Sequence, residues 1–350
     1  MRSPCCALPS RSVEVGPGSQ WSRQVPVGLS MTPRRHAAAQ RRPTQWGALV
    51  AATAAVATSR RCGGGAVASS PLARRASLRF QGDAEAGAAE ALAARLGFSA
   101  VAAPKGCPRT LTTSALRSGA PAGAAAPPYL LRAEGAWSLV VAGLGERGAP
   151  LHFTLDFSQE GLSQRLRRKL TQPPAAHPLY TALGRPSPGA SVVDATGGFG
   201  SDALLMTHCF KLEVSVIERH PLVFALLEDA AQRAPPPRLG SSVFGGPVLL
   251  GEAAALLPGL APADAVYLDP MFPRGGRERK AKPDLAMQVL AAVCSSAPLL
   301  AAGTVTDERS LLEAARRCAR RRVVVKRARG SADLAGVRPS HRQVGTTNRF

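Results

Sequence analysis

Two short stretches carry residue types at spacings that suit chemistry. The first, Ser191 to Gly200 (SVVDATGGFG), is an apolar β-branched run that ends in Asp194 and continues through Gly197, Gly198 and Gly200 to a helix-forming segment opening at Ser201 and Asp202. Strand, tight glycine turn and helix in that order put a carboxylate beyond the carboxyl end of a strand, where open α/β sheets bind ligands and glycine lets backbone approach a cofactor closely. The second, Val266 to Pro273 (VYLDPMFP), repeats the geometry without glycine: an apolar run to Leu268, then Asp269, Pro270 and Phe272 on a proline-stiffened loop. The Asp269 carboxylate and the Pro270 carbonyl are acceptors, and Phe272 is a stacking surface. Two acceptors and a ring face on one short loop can hold a flat group that carries N–H bonds. Hydride transfer has no use for this loop, although a structural proline turn with a core phenylalanine would read the same way.

The elements that must position these residues alternate regularly. Strand Ser191–Asp194 leads to helix Ser201–His208, strand Glu213–Ile217 to helix Pro221–Arg233, and strand Pro247–Leu250 to a short helix Ala253–Leu257. Strand Ala265–Leu268, helices Asp284–Ser295 and Glu308–Arg320, and strand Arg322–Lys326 complete the series. Alternating β and α elements with nearly all-apolar strands predict an α/β fold whose mostly parallel sheet has helices on both faces. Upstream, Asp83–Leu96 is an alanine-rich helix with acids early and Arg95 late, stopped by Gly97. Tyr129–Arg132, Ser138–Val141 and Leu151–Phe157 are strand-like. Residues 77–155 are thereby expected to form a small α/β subdomain, or else to extend the main sheet, with 156–350 as the principal domain.

Composition bounds the partners. The 350 residues carry a net charge of +21, which favours an anionic partner such as nucleic acid. Residues 1–80 hold about a dozen arginines, no lysine and one acid, Glu14. Residues 1–76 are thus expected to be a disordered organelle-targeting presequence, plastid in preference to mitochondrion, with a cytoplasmic protein as the alternative. The apolar run Trp46–Thr58 falls short of the roughly twenty residues that span a bilayer, so no membrane anchor is expected. Seven cysteines without a CxxC pair or a histidine at zinc spacing imply a reducing compartment and no metal, with Cys209, Cys294 and Cys318 as small buried side chains. Arg165, Arg167, Arg168 and Lys169 form a basic cluster, and Lys326 with Arg327 ends the last strand. Both groups suit phosphate contact, or are simply solvated.

Glycine spacing alone is ambiguous, since Gly198 to Ala203 also fits the dinucleotide pattern GxGxxA, with Glu218 about twenty residues on. Asp194 directly at the strand end resembles motif I of S-adenosylmethionine-dependent methyltransferases. Glu218 would then accept from the ribose hydroxyls, or else cap the helix at Pro221. Asp269 to Phe272 resembles the (D/N)PP(Y/F) loop of methyltransferases that modify exocyclic amines. From about Leu151 to Phe350 the chain resembles the RsmJ family of small-subunit rRNA guanine-N2 methyltransferases, in VVDATGGFGSDALLM, IERHPLVFALLEDAAQRA, VYLDPMFP, RRVVVKR and the terminal Asn348-Arg349-Phe350.

That resemblance implies a Rossmann-like class I fold, S-adenosyl-L-methionine as cofactor, and methyl transfer to N2 of a guanine in small-subunit rRNA or the assembling subunit. It puts cofactor contacts on Ser201, Asp202, Glu218, Arg219 and Asp269. The family's next contacting serines align with Ala253 and Ala254, which lack hydroxyls, and Glu252 or backbone groups stand nearby. The family's glycine-rich segment after the basic cluster is replaced by Thr171–His177. An amino-methyltransferase of another RNA, DNA or protein, and a non-catalytic RNA-binding assembly factor, remain the alternatives.

Overall fold

Short apolar runs separated by glycine and polar turns build a first sheet from the earlier part of the chain. A computed structural model describes residues 77–350 apart from 82, 103–127, 142, 146–147, 159, 236–241, 271–283 and 296–307. The presequence reading of residues 1–76 and the stacking role of Phe272 therefore lie outside the described residues. Strands β1 (Ser77–Phe80), β2 (Ser99–Ala102), β3 (Tyr129–Ala133), β4 (Ala136–Val141) and β5 (Leu151–Thr154) pair in the order β2-β1-β3-β4-β5. β1 runs parallel to β2 and β3, with helix α1 (Asp83–Leu96) as the β1–β2 crossover, and the remaining pairs are antiparallel. These strands form a sheet of their own and do not extend the second one. β5 stops at Thr154, short of the expected Phe157, because Asp156 turns the chain by accepting the Ser158 N–H at 2.8 Å.

The second sheet takes its order from the longer apolar strands. β6 (Ser191–Asp194), β7 (Glu213–Glu218), β8 (Gly245–Leu250), β9 (Ala263–Leu268) and β10 (Ala319–Val325) are all parallel, in the order β8-β7-β6-β9-β10. Successive residues of a strand point to opposite faces, and both faces are buried. Val192, Val214, Val216 and Tyr267 join one core, while Val193, Ile217, Val266 and Leu268 join another. The chain steps outward from β6 to β8 and then returns to the far side of β6 as β9. That reversal opens a crevice beyond the carboxyl ends of β6 and β9, the usual ligand position in such sheets.

Helices α2 (Gln164–Leu170), α3 (Pro178–Ala182), α4 (Ser201–His208), α5 (Pro221–Arg233), α6 (Ala253–Leu256), α7 (Leu285–Ser295) and α8 (Glu308–Cys318) cover these sheets. Asp284, expected inside α7, caps it instead: its Oδ1 accepts the Met287 N–H at 2.9 Å. α8 ends at Cys318, two residues before the expected Arg320, because Ala319 already pairs with Ala263 and a register shift absorbs the residues before Arg322. The carboxy terminus adds a ribbon of β11 (Arg327–Ala328) and β12 (Asn348–Arg349).

α5 joins the two sheets. Leu227, Ala230 and Ala231 pack toward the parallel sheet, while Leu222, Val223 and Leu226 share a core with Trp137 and Leu139 of β4 and with Val289 and Val293 of α7. A polar knot pins this junction. Asp229 accepts from Arg132 Nη1 at 3.0 Å, from Arg233 Nε at 2.8 Å and from the Trp137 N–H at 3.3 Å, and Arg132 also reaches Glu85 at 2.8 Å. Removing the carboxylate strands a buried N–H and unbalances Arg132. Asp229→Ala is expected to cost about 2–4 kcal/mol in urea unfolding; a loss below about 0.5 kcal/mol would mean that the junction is held by its apolar contacts alone.

Candidate active site

The crevice is shaped first by the turn after β6. The Gly197 N–H donates to the Ile217 carbonyl at 2.8 Å, so close to β7 that a Cβ at residue 197 would fall on Val216 Cγ1. Gly200 caps α4 with φ of 71°, and a Cβ there would lie 2.7 Å from Leu227 Cδ1. Both glycines are demanded by packing against β7 and α5. Gly198 differs, since its N–H donates to Glu218 Oε2 at 2.7 Å. Between them Phe199 is directed to the first sheet, its ring centroid 4.9 Å from that of Phe153.

Four carboxylates gather at the strand ends. Asp194 is buried, its Oδ1 accepts the Thr196 N–H at 3.1 Å, and burial pushes its pKa up to about 8, with Asp202 and Asp269 adding to the rise and that N–H bond opposing it. Glu218 at the end of β7 is also buried. Burial raises its pKa, and two backbone N–H groups, Gly198 on Oε2 and His220 on Oε1 at 2.7 Å, oppose the rise. Each Glu218 oxygen keeps a lone pair for another donor. Arg219 beside it is half-exposed, with Nη1 3.7 Å from Glu252 Oε1. Ala253 is buried and Ala254 half-buried just beyond, and Ser201 is exposed at the start of α4.

Asp202 and Asp269 share one cation. Lys326 Nζ donates to Asp202 Oδ2 at 2.7 Å and to Asp269 Oδ2 at 2.7 Å. The Tyr267 hydroxyl adds a 2.6 Å bond to Asp202 Oδ2, and the Asp269 N–H donates to Thr196 Oγ1 at 2.6 Å. Burial works against the charge on Lys326, but the Asp202 and Asp269 carboxylates outweigh it and raise its pKa. Burial would raise Asp202 as well, yet Lys326 and the Tyr267 hydroxyl hold it below its ordinary value. Asp269 stays raised by burial, against the pull of Lys326.

Lys326, which by sequence suits a phosphate or plain solvent, lies among carboxylates. Arg327, anticipated beside it, is 5% exposed and donates from Nη2 to Glu308 at 3.0 Å, so its fork faces inward. Arg165, Arg167 and Arg168 on α2 are exposed, and none forms an ion pair with a described residue. Lys169 on the same helix is half-buried. Burial lowers its pKa against the attraction of Asp202, so α2 carries the basic cluster to the edge of the crevice.

Sequence reasoning found α7 but missed its place in the site, and it missed Tyr267 and Thr196 altogether. Tyr267 is a phenol in the otherwise apolar run Ala265–Leu268, and a buried phenol needs a polar partner; that was the available signal. α7 brings Leu290 to 3.6 Å from the Cβ position of Gly198 and sets Cys294 near Glu218, where burial and that carboxylate push the thiol up to about 11. Cys209 and Cys318 are buried and Cys294 is half-buried. Among the described residues no group of His, Cys, Asp or Glu is arranged to hold a metal ion, and no helix is long and apolar enough to cross a membrane.

Known proteins resemble this chain in sequence and in fold. A family model for SAM-dependent methyltransferases matches residues 141–350. The ribosomal RNA small subunit methyltransferase J of Laribacter hongkongensis is 36% identical over 222 residues, covering 62% of this chain and 74% of that protein. Its namesake from Thioalkalivibrio sulfidiphilus is 35% identical over 207 residues, covering 58% and 76%. A SAM-dependent methyltransferase of solved structure from Neisseria gonorrhoeae superposes with a TM-score of 0.53 at 24% identity, covering 78% of this chain and 93% of that one, which establishes the likeness of fold.

The charge state of Asp194 is directly testable. Its pKa is raised on folding, so the stability it contributes is whole below about pH 4 and is lost as pH rises through about 8. Asn cannot ionise and keeps a carbonyl for the Thr196 N–H. Asp194→Asn is expected to match the natural protein in thermal melts near pH 4 and to exceed it by at least about 1 kcal/mol at pH 8.5; equal melting at pH 8.5 would refute the assignment.

Proposed function

Because the chain belongs to the RsmJ family of S-adenosylmethionine-dependent methyltransferases, we propose that it methylates the exocyclic N2 of a guanine in small-subunit ribosomal RNA, alone or in the assembling subunit. The observation that carries the reading is Asp269 at the sheet's reversal, with Oδ2 anchored on Lys326 and Oδ1 accepting no bond from a described residue. A strand-end acceptor followed by Pro270, which offers a carbonyl and no N–H, suits an amine whose two N–H bonds must be held. Phe272 supplies the stacking surface in this proposal.

The residues present fit the cofactor. S-adenosylmethionine supplies an electrophilic methyl on a sulfonium, and it also carries an ammonium. The carboxylates of buried Asp194 and half-buried Asp202 and Asp269 outnumber the one lysine among them, which favours a cationic occupant. Glu218 has lone pairs left for ribose hydroxyls, and Gly197, Gly198, Gly200, Ser201 and Arg219 border the same turn. Ionised Asp194 is the better partner for a cation, so binding draws its proton off. The rRNA backbone is met by Arg165, Arg167 and Arg168 at the crevice edge, where free guanidinium groups exchange counterions for phosphates. Delivery to an organelle, plastid before mitochondrion, rests on the arginine-rich, acid-poor residues 1–76 alone.

Mapping of methylated guanines in small-subunit rRNA, with and without the protein, tests the substrate. Asp269→Ala is expected to abolish methyl transfer and leave RNA affinity within about twofold, since affinity comes from phosphate contacts. Arg167→Ala with Arg168→Ala should weaken RNA binding and flatten its salt dependence by about two in slope while sparing turnover at saturating RNA. Full turnover in Asp269→Ala would end the amine-orienting reading. A fluorescent protein fused behind residues 1–80 should enter a plastid or mitochondrion; diffuse cytosolic fluorescence would reject the targeting reading.

A further inference from the structure

Lys326 sits where three elements converge. Its own N–H donates to the Leu268 carbonyl at 2.8 Å, continuing the β9–β10 pairing one residue beyond the strand, while Nζ bridges Asp202 in the first turn of α4 and Asp269 after β9. The two carboxylates are not equivalent. Asp202 Oδ2 is held by both the ammonium and the Tyr267 hydroxyl, from a strand residue only 1% exposed, so Asp202 is a fixed anchor. Asp269 is held through one oxygen and through its backbone N–H on Thr196, which leaves Oδ1 uncommitted among the described residues.

We propose that Lys326 is a positioning residue: by sharing one ammonium between the fixed Asp202 and Asp269, it keeps Asp269 ionised and aims its second oxygen at the substrate amine. An amine N–H can be oriented only by an acceptor, and a protonated carboxyl gives up acceptor strength and adds an O–H donor. Asp202 keeps the Tyr267 hydroxyl when the ammonium is lost, whereas Asp269 keeps no side-chain donor, so of the two carboxylates on Lys326 it is Asp269 that takes up a proton. The charged groups that bear on the pair are Asp202, Lys326 and Arg327 on Asp269, and Asp202, Asp269, Asp194 and Lys169 around Lys326. With two of its N–H bonds committed to carboxylates, Lys326 is poorly placed to serve a phosphate. The task assigned to Asp269 rests on the amine-methylating reading above, whereas the coupling of Lys326 to Asp269 does not.

The test compares Lys326→Met and Lys326→Arg with the natural protein, using the full chain. Methyl transfer to small-subunit rRNA is followed from pH 6 to 9.5, RNA binding at two salt concentrations, and protonated carboxyl groups by infrared absorption at pH 7. Thermal melts and S-adenosylmethionine binding show that each variant is folded. For Lys326→Met the acid limb of the kcat profile should move up by about one pH unit or more, so that turnover lost at pH 7 is largely regained at pH 9. KM for RNA and its salt slope should not change. Lys326→Arg should keep the natural acid limb at reduced kcat. One additional protonated carboxyl should appear in Lys326→Met and vanish when Asp269→Asn is added, whether or not rRNA proves to be the substrate.

An unmoved acid limb with equal loss at every pH would reduce Lys326 to a strut and overturn the proposal. So would a flatter salt slope, which would return the lysine to phosphate binding, or an infrared spectrum unchanged from the natural protein. If Lys326→Met does not fold, the Lys326→Arg profile decides, because a shifted acid limb there is incompatible with a retained cation. Should the natural protein transfer no methyl to the rRNA, the infrared comparison still decides the role of Lys326.

Discussion

The turn after β6 has no room for a side chain at residue 197, and the crevice follows from that constraint. With the Gly197 backbone pressed on β7, the next N–H meets the Glu218 carboxylate, Phe199 is sent outward to Phe153, and Gly200 takes the left-handed conformation that starts α4. α4 in turn carries Asp202 to Lys326 and Tyr267. One missing methyl group thus fixes where two carboxylates stand. The crowded position at Gly197 and the left-handed one at Gly200 would strain a residue that carries a Cβ.

Burial of acidic groups is the energetic burden of this site. Asp194 and Glu218 are both raised by loss of water, and the protein offsets this with backbone N–H groups on Glu218 and a single N–H on Asp194. A fold optimised only for stability would fill these positions with apolar side chains, since buried ionisable groups seldom repay their desolvation. Their presence at one sheet reversal is the mark of a site kept for a cation.

Much of the architecture was legible because local signals agreed with the global pattern. α1, α4 and α5 run over the residues the sequence indicated, with Pro221 opening α5. Asp194, Glu218 and Asp269 were legible as strand ends. β1 and β2 were not, since four residues are too few to display alternation and their partners lie across a helix or beyond it. The partners of Lys326 were illegible for a different reason. Asp202 and Asp269 are 124 and 57 residues away in sequence, and a lysine at a strand end reads alike whether it faces solvent or carboxylates. Arg327 repeats the lesson, because charge in sequence carries no direction.

The helix shared between the two sheets also sets an order of events during synthesis. The strands of the first sheet are translated before α5, and well before α7, yet those two helices supply the cover for Trp137 and Leu139. A nascent chain that has reached β5 therefore has only the α1 part of this core in place, with the contribution of α5 and α7 still to be made. Contacts that close over so long a stretch form slowly, and the exposed intermediate is a natural client for chaperones. Translation speed between β5 and α7 thus bears on yield, through the lifetime of a half-built core.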